Sequence, residues 1–232
     1  KSDTITSVEA LIRWEHAEKG MVLPGDFIPV AEKTGMIVEM GKWCLHSACK
    51  QTKKWVEMGS THIRTSVNIS ALAFKRCDLL TVRSNSLEET ELRPEWLELE
   101  RTEASIQSGT DHVIEIMTGL KKLGVGIVLN NFGTGYSSLS DLNQLPLNAL
   151  KIDRSFVGEI KSPGDDSAII NAIISMGHAL ELSIVADGVE TEVQRDYLNS
   201  KGCNAVQGFL FSRPLSVDDI TSQLDELLVD ET

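Results

Sequence analysis

Short apolar runs alternate with longer segments of helical period along the whole chain. Seven runs have the length and apolar content typical of strands: Val8–Trp14, Thr65–Ile69, Leu97–Thr102, Gly126–Asn130, Ala149–Asp153, Ser183–Ala186 and Ala205–Gly208. Five segments carry apolar residues three and four positions apart, which predicts helices over Met36–Met58, Asp111–Leu123, Asp166–Leu182, Val193–Asn199 and Val217–Leu228. Glycines at 124 and 202 fit helix C-caps, Ser216 fits an N-cap, and Thr191 with Gln194 has the shape of a capping box.

Strands that alternate with helices predict a parallel sheet with helices on its faces. The apolar interiors Ile127–Leu129 and Ile184–Ala186 fit strands that are covered on both sides. Seven strands are one short of a closed eight-stranded barrel, and the chain begins almost at its first strand. We therefore expect an α/β fold, a (β/α)8 TIM-like barrel whose N-terminal strand is missing from this chain and lies upstream of Lys1. Residues 1–232 are expected to form one domain, excised from a longer multidomain protein.

Charge and composition narrow the class of partner. The 232 residues contain 22 Lys and Arg against 34 Asp and Glu, so the formal net charge is 22 − 34 = −12. That balance argues against a nucleic-acid polymer as ligand, because such binders carry a basic surface. No apolar run reaches the roughly 18 residues of a membrane span. The polar start shows no signal peptide, and the four cysteines are expected to be reduced thiols of a cytoplasmic protein.

Polar side chains stand at the carboxyl ends of nearly all predicted strands, where barrels of this kind carry their chemistry. They are Glu9, Arg13, Asn68, Glu100, Glu103, Asn130, Asn131, Lys151, Asp187 and Gln207. Carboxylate and amide oxygens suit a hard cation such as Mg²⁺ or Mn²⁺. After the fourth predicted strand, the segment Phe132–Ser138 contains two glycines, and its backbone N–H groups could hold a phosphate at a helix N-terminus. The alternative for this segment is a tight turn between strand and helix.

Taken together, eight ordered blocks resemble the EAL-domain family, which hydrolyses the bacterial second messenger cyclic di-GMP. The blocks are Glu9–Leu11 with Ile12–Trp14, Phe27–Glu32, Val67–Ser70, Leu97–Glu100, Phe132–Ser138, Leu150–Asp153, Gly188–Thr191 and Gln207–Phe209. The resemblance covers nearly the whole chain. It implies a barrel with one antiparallel strand near the N-terminus, and a leading strand with a Tyr-Gln-Pro motif that this chain lacks.

The resemblance also implies roles for individual residues. In the family, two Mg²⁺ or Mn²⁺ ions clamp the scissile phosphate and activate a bridging water. Glu9, Asn68 and Glu100 would be metal ligands, together with positions 130, 131 and 187. Lys151 would orient the nucleophile, Glu103 would anchor the loop Gly133–Ser138, and Arg13, Pro29 and Gln207 would contact the dinucleotide.

This chain departs from the family at the metal site. The family's consecutive aspartates are Asn130 and Asn131 here, its glutamate after the sixth strand is Asp187, and its Ile or Val before Thr102 is Arg101. Asparagine can coordinate through its carbonyl oxygen but supplies no charge to offset the repulsion between two dications. Asp187 is one methylene shorter than glutamate. Arg101 would oppose cation binding if it pointed toward the site, and would have no effect if it pointed away.

Several interpretations follow. In the first, the domain is a degenerate EAL module that binds cyclic di-GMP or a protein partner without hydrolysis, with at most one weakly bound ion at Glu9, Asn68 and Glu100. In the second, it is an active Mg²⁺- or Mn²⁺-dependent phosphodiesterase that releases linear pGpG. A third, an asparagine pair introduced to trap substrate, is disfavoured by the Asp187 change. A homodimer is common in the family, but no feature of the sequence establishes one.

Overall fold

A computed structural model describes residues 4–60, 63–76, 79–103, 110–135, 139–162 and 164–230. Its strands are β1 Ser7–Ala10, β2 Trp14–His16, β3 Gly20–Val22, β4 Arg64–Asn68, β5 Leu97–Thr102, β6 Gly126–Phe132, β7 Ala149–Ile152, β8 Ser183–Ala186 and β9 Ala205–Val206. Its α-helices are α1 Pro24–Thr34, α2 Ile37–Glu57, α3 Ala71–Arg76, α4 Leu79–Thr90, α5 Thr110–Lys122, α6 Leu139–Gln144, α7 Arg154–Val157, α8 Ala168–Ala179, α9 Glu192–Ser200 and α10 Val217–Asp230. A 3₁₀ turn over Pro94–Trp96 precedes β5.

Seven strands form one sheet in the order β1-β4-β5-β6-β7-β8-β9. The strand pairs β1 with β4, β6 with β7, β7 with β8 and β8 with β9 are parallel. Since helices connect successive strands, this is the predicted α/β arrangement of parallel strands in chain order, and that prediction is confirmed.

The first predicted strand, Val8–Trp14, is two strands in the structure. β1 stops pairing with β4 after Ala10, and Trp14 begins an antiparallel ribbon in which β2 pairs with β3. Trp14 lies opposite Val22 in this ribbon, and its ring meets Phe27 edge-on at 5.9 Å between centroids. The antiparallel element near the N-terminus is therefore this separate two-stranded ribbon.

The chain divides into two compact units. Unit 1 comprises Lys1–Leu99, Gly119–Val125 and Ser216–Thr232, and unit 2 comprises Glu100–Thr118 and Gly126–Leu215. Within unit 1, Trp55 of α2 packs with Ile63 and Leu224 and also donates a hydrogen bond from Nε1 to Thr221 Oγ1 of α10 at 2.8 Å. This contact fixes the last helix against α2.

The core of unit 2 is built on β7, whose four residues are all buried. Helix α8 begins after Ser167, whose hydroxyl accepts from Ile170 N as an N-cap does, and buries an apolar face that includes Ile170, Ile173 and Ile174. Each such side chain, when fully buried, contributes about 1.5–3 kcal/mol. Lys151 lies inside this apolar strand, so its placement is the first sign of a specialised site.

The cysteines and the apolar content of the helices were also considered from the sequence. Cys44, Cys49 and Cys203 are free thiols, and burial raises the pKa of the Cys44 thiol. Cys77 lies outside the described residues. Within the described part of the chain, no helix has the length and apolar composition that crossing a membrane requires.

Candidate functional site

A buried ion pair joins the ends of two strands in unit 2. Lys151 Nζ of β7 lies 3.1 Å from each carboxylate oxygen of Glu100 in β5. The two side chains are only 2% and 3% exposed. Because so little water reaches them, each of the two charges is stabilised mainly by the other. A charge-assisted hydrogen bond of this kind is stronger than one between neutral groups.

Asn130 of β6 completes this cluster. Its Nδ2 donates to Glu100 Oε2 at 2.8 Å, and its Oδ1 accepts from Asn131 N at 2.7 Å. Because a carboxylate only accepts hydrogen bonds, the amide nitrogen must face Glu100. Both ends of the Asn130 side chain are therefore used within the protein.

The backbone at Asn131 explains how Asn130 reaches Glu100. The register between β6 and β7 shifts between Leu129 and Phe132, which marks a bulge. Asn131 has a φ of 55°, in the left-handed region that asparagine and aspartate tolerate better than other non-glycine residues. Thr134 Oγ1 donates to Asn131 O at 2.8 Å and stabilises the turn that follows.

Glu103 occupies a nest of backbone N–H groups. Its Oε2 accepts from Gly133 N and from Gly135 N, both at 3.0 Å, and the side chain is buried. A Cβ on Gly135 would lie 2.8 Å from Glu103 Cδ, so the loop closes tightly on this carboxylate. The two glycine N–H groups that the sequence offered as a phosphate cradle bind Glu103 instead. Tyr136, Ser137 and Ser138 of that segment lie outside the described residues.

Two of the predicted ligands meet in unit 1. Asn68 at the end of β4 donates from Nδ2 to Glu9 Oε1 of β1 at 2.6 Å. Arg13 is half-buried, and its Nη1 donates to Ile12 O at 2.9 Å. Pro29 is exposed within α1, where a proline cannot donate the usual helical hydrogen bond.

The remaining candidates follow β8 and β9 in unit 2. Asp187 is half-buried, and its backbone N–H donates to Ile152 O at 3.1 Å. Gln207 is also half-buried; its N–H donates to Ala186 O at 2.8 Å, and its carbonyl accepts from Val189 N at 2.9 Å. Both residues are thus placed by the hydrogen bonds of neighbouring strand ends.

Arg101 points away from Glu100, because successive side chains of a strand project to opposite faces of the sheet. It is 1% exposed, and burial lowers its pKa to about 10, so the guanidinium stays charged at neutral pH. Of the two orientations considered from the sequence, strand alternation favours the one in which this charge does not oppose a cation beside Glu100.

Two of the predicted ligand positions in unit 2 hold asparagines, which carry no charge. The charge of Glu100 is matched by Lys151, and Asp187 is the other carboxylate among the predicted ligands of this unit. Among the described residues, no three His, Cys, Asp or Glu side chains are grouped as metal ligands. Two dications about 3.5–4 Å apart need several carboxylates to offset their repulsion.

Sequence reasoning missed two features of this region. It considered Asn130 as a metal ligand and did not anticipate the hydrogen bond that its amide donates to Glu100. It used Gly188 and Gly208 only as members of the family's blocks, and did not anticipate their close contacts beside Asp187 and Gln207. The signal available for the glycines was their position directly after these candidate residues.

Residues 1–214 match the family model described as the EAL domain. This chain belongs to the EAL domain family. The family is one of divalent-metal-dependent phosphodiesterases of cyclic di-GMP signalling. Membership confirms the family recognised from the eight sequence blocks.

Two curated relatives come from Pseudomonas aeruginosa. The bifunctional diguanylate cyclase/cyclic di-GMP phosphodiesterase MucR is 45% identical over 217 residues, which cover 94% of this chain and 32% of MucR. The cyclic di-GMP phosphodiesterase NbdA is 41% identical over 211 residues, covering 91% of this chain and 27% of NbdA. The chain therefore spans a third or less of the length of these relatives.

The structure of the MucR phosphodiesterase in complex with cyclic di-GMP is similar to this one. The TM-score is 0.89 at 45% sequence identity, and the match covers 94% of this chain and 88% of that chain. The predicted TIM-barrel-like class of the EAL fold is confirmed by this likeness.

Proposed function

We propose that this EAL domain binds cyclic di-GMP and hydrolyses it very slowly or not at all, acting as a receptor or protein-interaction module. The observation that carries the proposal is the closed cluster of Glu100, Lys151 and Asn130. In it, an ammonium and an amide N–H satisfy a carboxylate that the family uses for metal. A carboxylate that is already balanced by an ammonium has less electrostatic reason to bind a cation.

The proposal for the ligand rests on the residues that remain. Arg13, Pro29 and Gln207 are kept at the positions that contact the dinucleotide in the family, and the related MucR structure is a cyclic di-GMP complex. Glu9 and Asn68 keep the oxygen donors that one weakly bound Mg²⁺ or Mn²⁺ would use. Within a longer signalling protein, linked domains or a separate protein would read the bound state.

The competing function is a weak phosphodiesterase. It is favoured by the activities named for MucR and NbdA and by the retained Glu100, Lys151 and Glu103. In this case Asn130 would have to release Glu100 when metal binds. Lys151 and Glu103 would keep the roles the family gives them, and Asp187 would stand at the glutamate position.

Calorimetric titration with cyclic di-GMP separates these functions. We expect binding that is unchanged when Mg²⁺ or Mn²⁺ is replaced by a chelator, with no linear dinucleotide in the recovered sample by chromatography. Binding that requires the cations, together with conversion to pGpG, would establish the phosphodiesterase. Absence of binding under both conditions would leave a protein partner as the ligand and refute the nucleotide receptor.

A further inference from the structure

Gly208 makes an unusually close backbone contact directly after Gln207. A Cβ at this position would lie 2.2 Å from Val189 O and 2.3 Å from Val189 N, and its φ is 157°. Real Cβ atoms do not approach backbone atoms this closely, so only glycine fits. Hydrogen bonds from Val189 N to Gln207 O at 2.9 Å and from Leu210 N to Val189 O at 3.0 Å join the same two segments.

Gly188 makes the equivalent contact one loop earlier. A Cβ on this residue would lie 2.4 Å from Arg154 Cβ and 3.2 Å from Arg154 Cα, and the residue has a φ of 76°. Arg154 follows Lys151 by three positions. The N–H of Asp187 donates to Ile152 O at 3.1 Å, so a hydrogen bond and a glycine contact again connect neighbouring segments.

These contacts distinguish the pair from two other glycines with positive φ. Gly20 and Gly164 also have positive φ, but a Cβ on either would meet nothing within 4 Å. At those positions glycine serves the backbone angle alone. At 208 glycine also lets the chain lie against the Val189 peptide, and at 188 it lets the chain lie against Cα and Cβ of Arg154.

We propose that Gly188 and Gly208 are positioning residues that hold three consecutive segments of unit 2 in close contact. These segments follow β7, β8 and β9; the first is the start of α7 at Arg154, and the other two carry Asp187 and Gln207. Their spacing fixes Gln207 relative to Asp187 and to Lys151 of β7. The inference rests on the proposed binding of cyclic di-GMP, because the spacing matters where these residues contact one ligand. A displacement of about 1 Å at such a site can cost roughly a hundredfold.

The test compares Gly208→Ala with Gly177→Ala. Gly177 packs against a different part of unit 2, where an added Cβ would lie 2.0 Å from Ile184 Cδ1 in the contact between α8 and β8. Both variants lose stability, and thermal unfolding identifies a temperature at which both remain folded. At that temperature we expect Gly208→Ala to weaken cyclic di-GMP binding at least tenfold, and Gly177→Ala to bind as the unaltered chain does. Equal affinities of Gly208→Ala and the unaltered chain would overturn the inference.

A second measurement needs no ligand. Hydrogen exchange of the Val189 and Leu210 amides should become at least tenfold faster in Gly208→Ala but not in Gly177→Ala, because those amides bond across the contact. Unchanged protection of both amides would contradict the inference. If the unaltered domain fails to bind cyclic di-GMP, the proposed function is refuted. Hydrogen exchange then tests the positioning role of the glycines by itself.

Discussion

At residue 130, an amide and a carboxylate give different net charges to the cluster around Glu100. Asn130→Asp would replace a donor 2.8 Å from Glu100 Oε2 by a second acceptor. Like charges at this distance cannot both ionise freely, so one carboxyl keeps its proton or a cation must bridge them. We expect the variant to lose about 1–3 kcal/mol of stability in a chelator. Mn²⁺ or Mg²⁺ should restore much of this loss, as measured by thermal unfolding.

The matched control is Asn148→Asp. Asn148 Oδ1 accepts from Ile127 N at 3.0 Å, a bond that an aspartate also makes, and the side chain is exposed. This variant should show no cation dependence beyond that of the unaltered chain. A metal-independent melting temperature for Asn130→Asp would refute the view that Asn130 replaces a cation.

Either Lys151 or Glu100 alone should destabilise the fold, because its charge would be buried without the opposite charge. Lys151→Met leaves a buried, uncompensated carboxylate, for which the expected cost is about 3–5 kcal/mol in denaturant unfolding. Adding Glu100→Gln should recover most of that loss, because the double variant contains no buried charge at this position. Additive losses in the double variant would show that the two side chains act independently.

The sequence identified these residues but not their contacts. Strand ends and family motifs located Glu100, Asn130 and Lys151, because parallel strands bring such positions to one edge of a sheet. The direction of the Asn130 amide depends on the bulge at Asn131. No local sequence pattern predicts this bulge. The glycine contacts at 188 and 208 were equally hidden, since they depend on loops distant in sequence.

Among the elements, the capping box at α9 does more than begin a helix. Gln194 Oε1 accepts from Glu190 N at 2.7 Å and Thr191 N at 3.1 Å. Its Nε2 donates to the carbonyls of Val157 and Ile160, at 3.3 and 3.4 Å. Gln194 therefore connects the segment after Asp187 to the end of α7.

Gln194→Glu would keep the acceptor and lose both donations to these carbonyls. We expect a loss of about 1–3 kcal/mol at pH 7, measured by denaturant unfolding. The loss should shrink near pH 4, where a glutamic acid with an ordinary pKa regains a proton to donate. Thr191→Ala, which removes only the hydroxyl that accepts from Gln194 N, should cost about 1 kcal/mol at either pH. If the stability loss caused by Gln194→Glu did not vary with pH, the role of Gln194 as a hydrogen-bond donor would be refuted.

Elements with strong periodicity were predictable, and the others were not. Strands β5 and β8 match their predicted bounds, and α2 and α5 agree within one residue. Helix α1 was missed because Pro29 lies inside it, where proline normally ends a helix. Helix α4 was missed because its sequence, LLTVRSNSLEET, has no sustained apolar period. Strands of three residues, as in the β2–β3 ribbon, are too short for alternation to show.

For the whole molecule, two added carboxylates would change both the net charge and the set of possible metal ligands. Asn130→Asp and Asn131→Asp would change the net charge from −12 to −12 − 2 = −14. Both added carboxylates would stand at positions that the family resemblance assigns to metal ligands. Aspartate also tolerates the φ of 55° at position 131, so the backbone should not have to change.

The triple variant Asn130→Asp, Asn131→Asp, Asp187→Glu therefore restores the family's carboxylates on an existing fold. We expect it to convert cyclic di-GMP to the linear dinucleotide roughly a hundredfold or more above the unaltered domain, and only with Mg²⁺ or Mn²⁺. Asp187→Glu alone should gain little, because it leaves the charge at Asn130 and Asn131 unchanged. Groups that hold metals as a unit are strongly non-additive, so the three single gains should not sum to the triple. Rapid turnover by the unaltered domain would show that asparagine suffices here. An inactive triple variant with an intact fold would show that the lack of activity has another cause. Arg101 is buried, and strand alternation places it on the opposite face of β5 from Glu100, so it would not be that cause. The Lys151–Glu100 pair would then be the next position to alter.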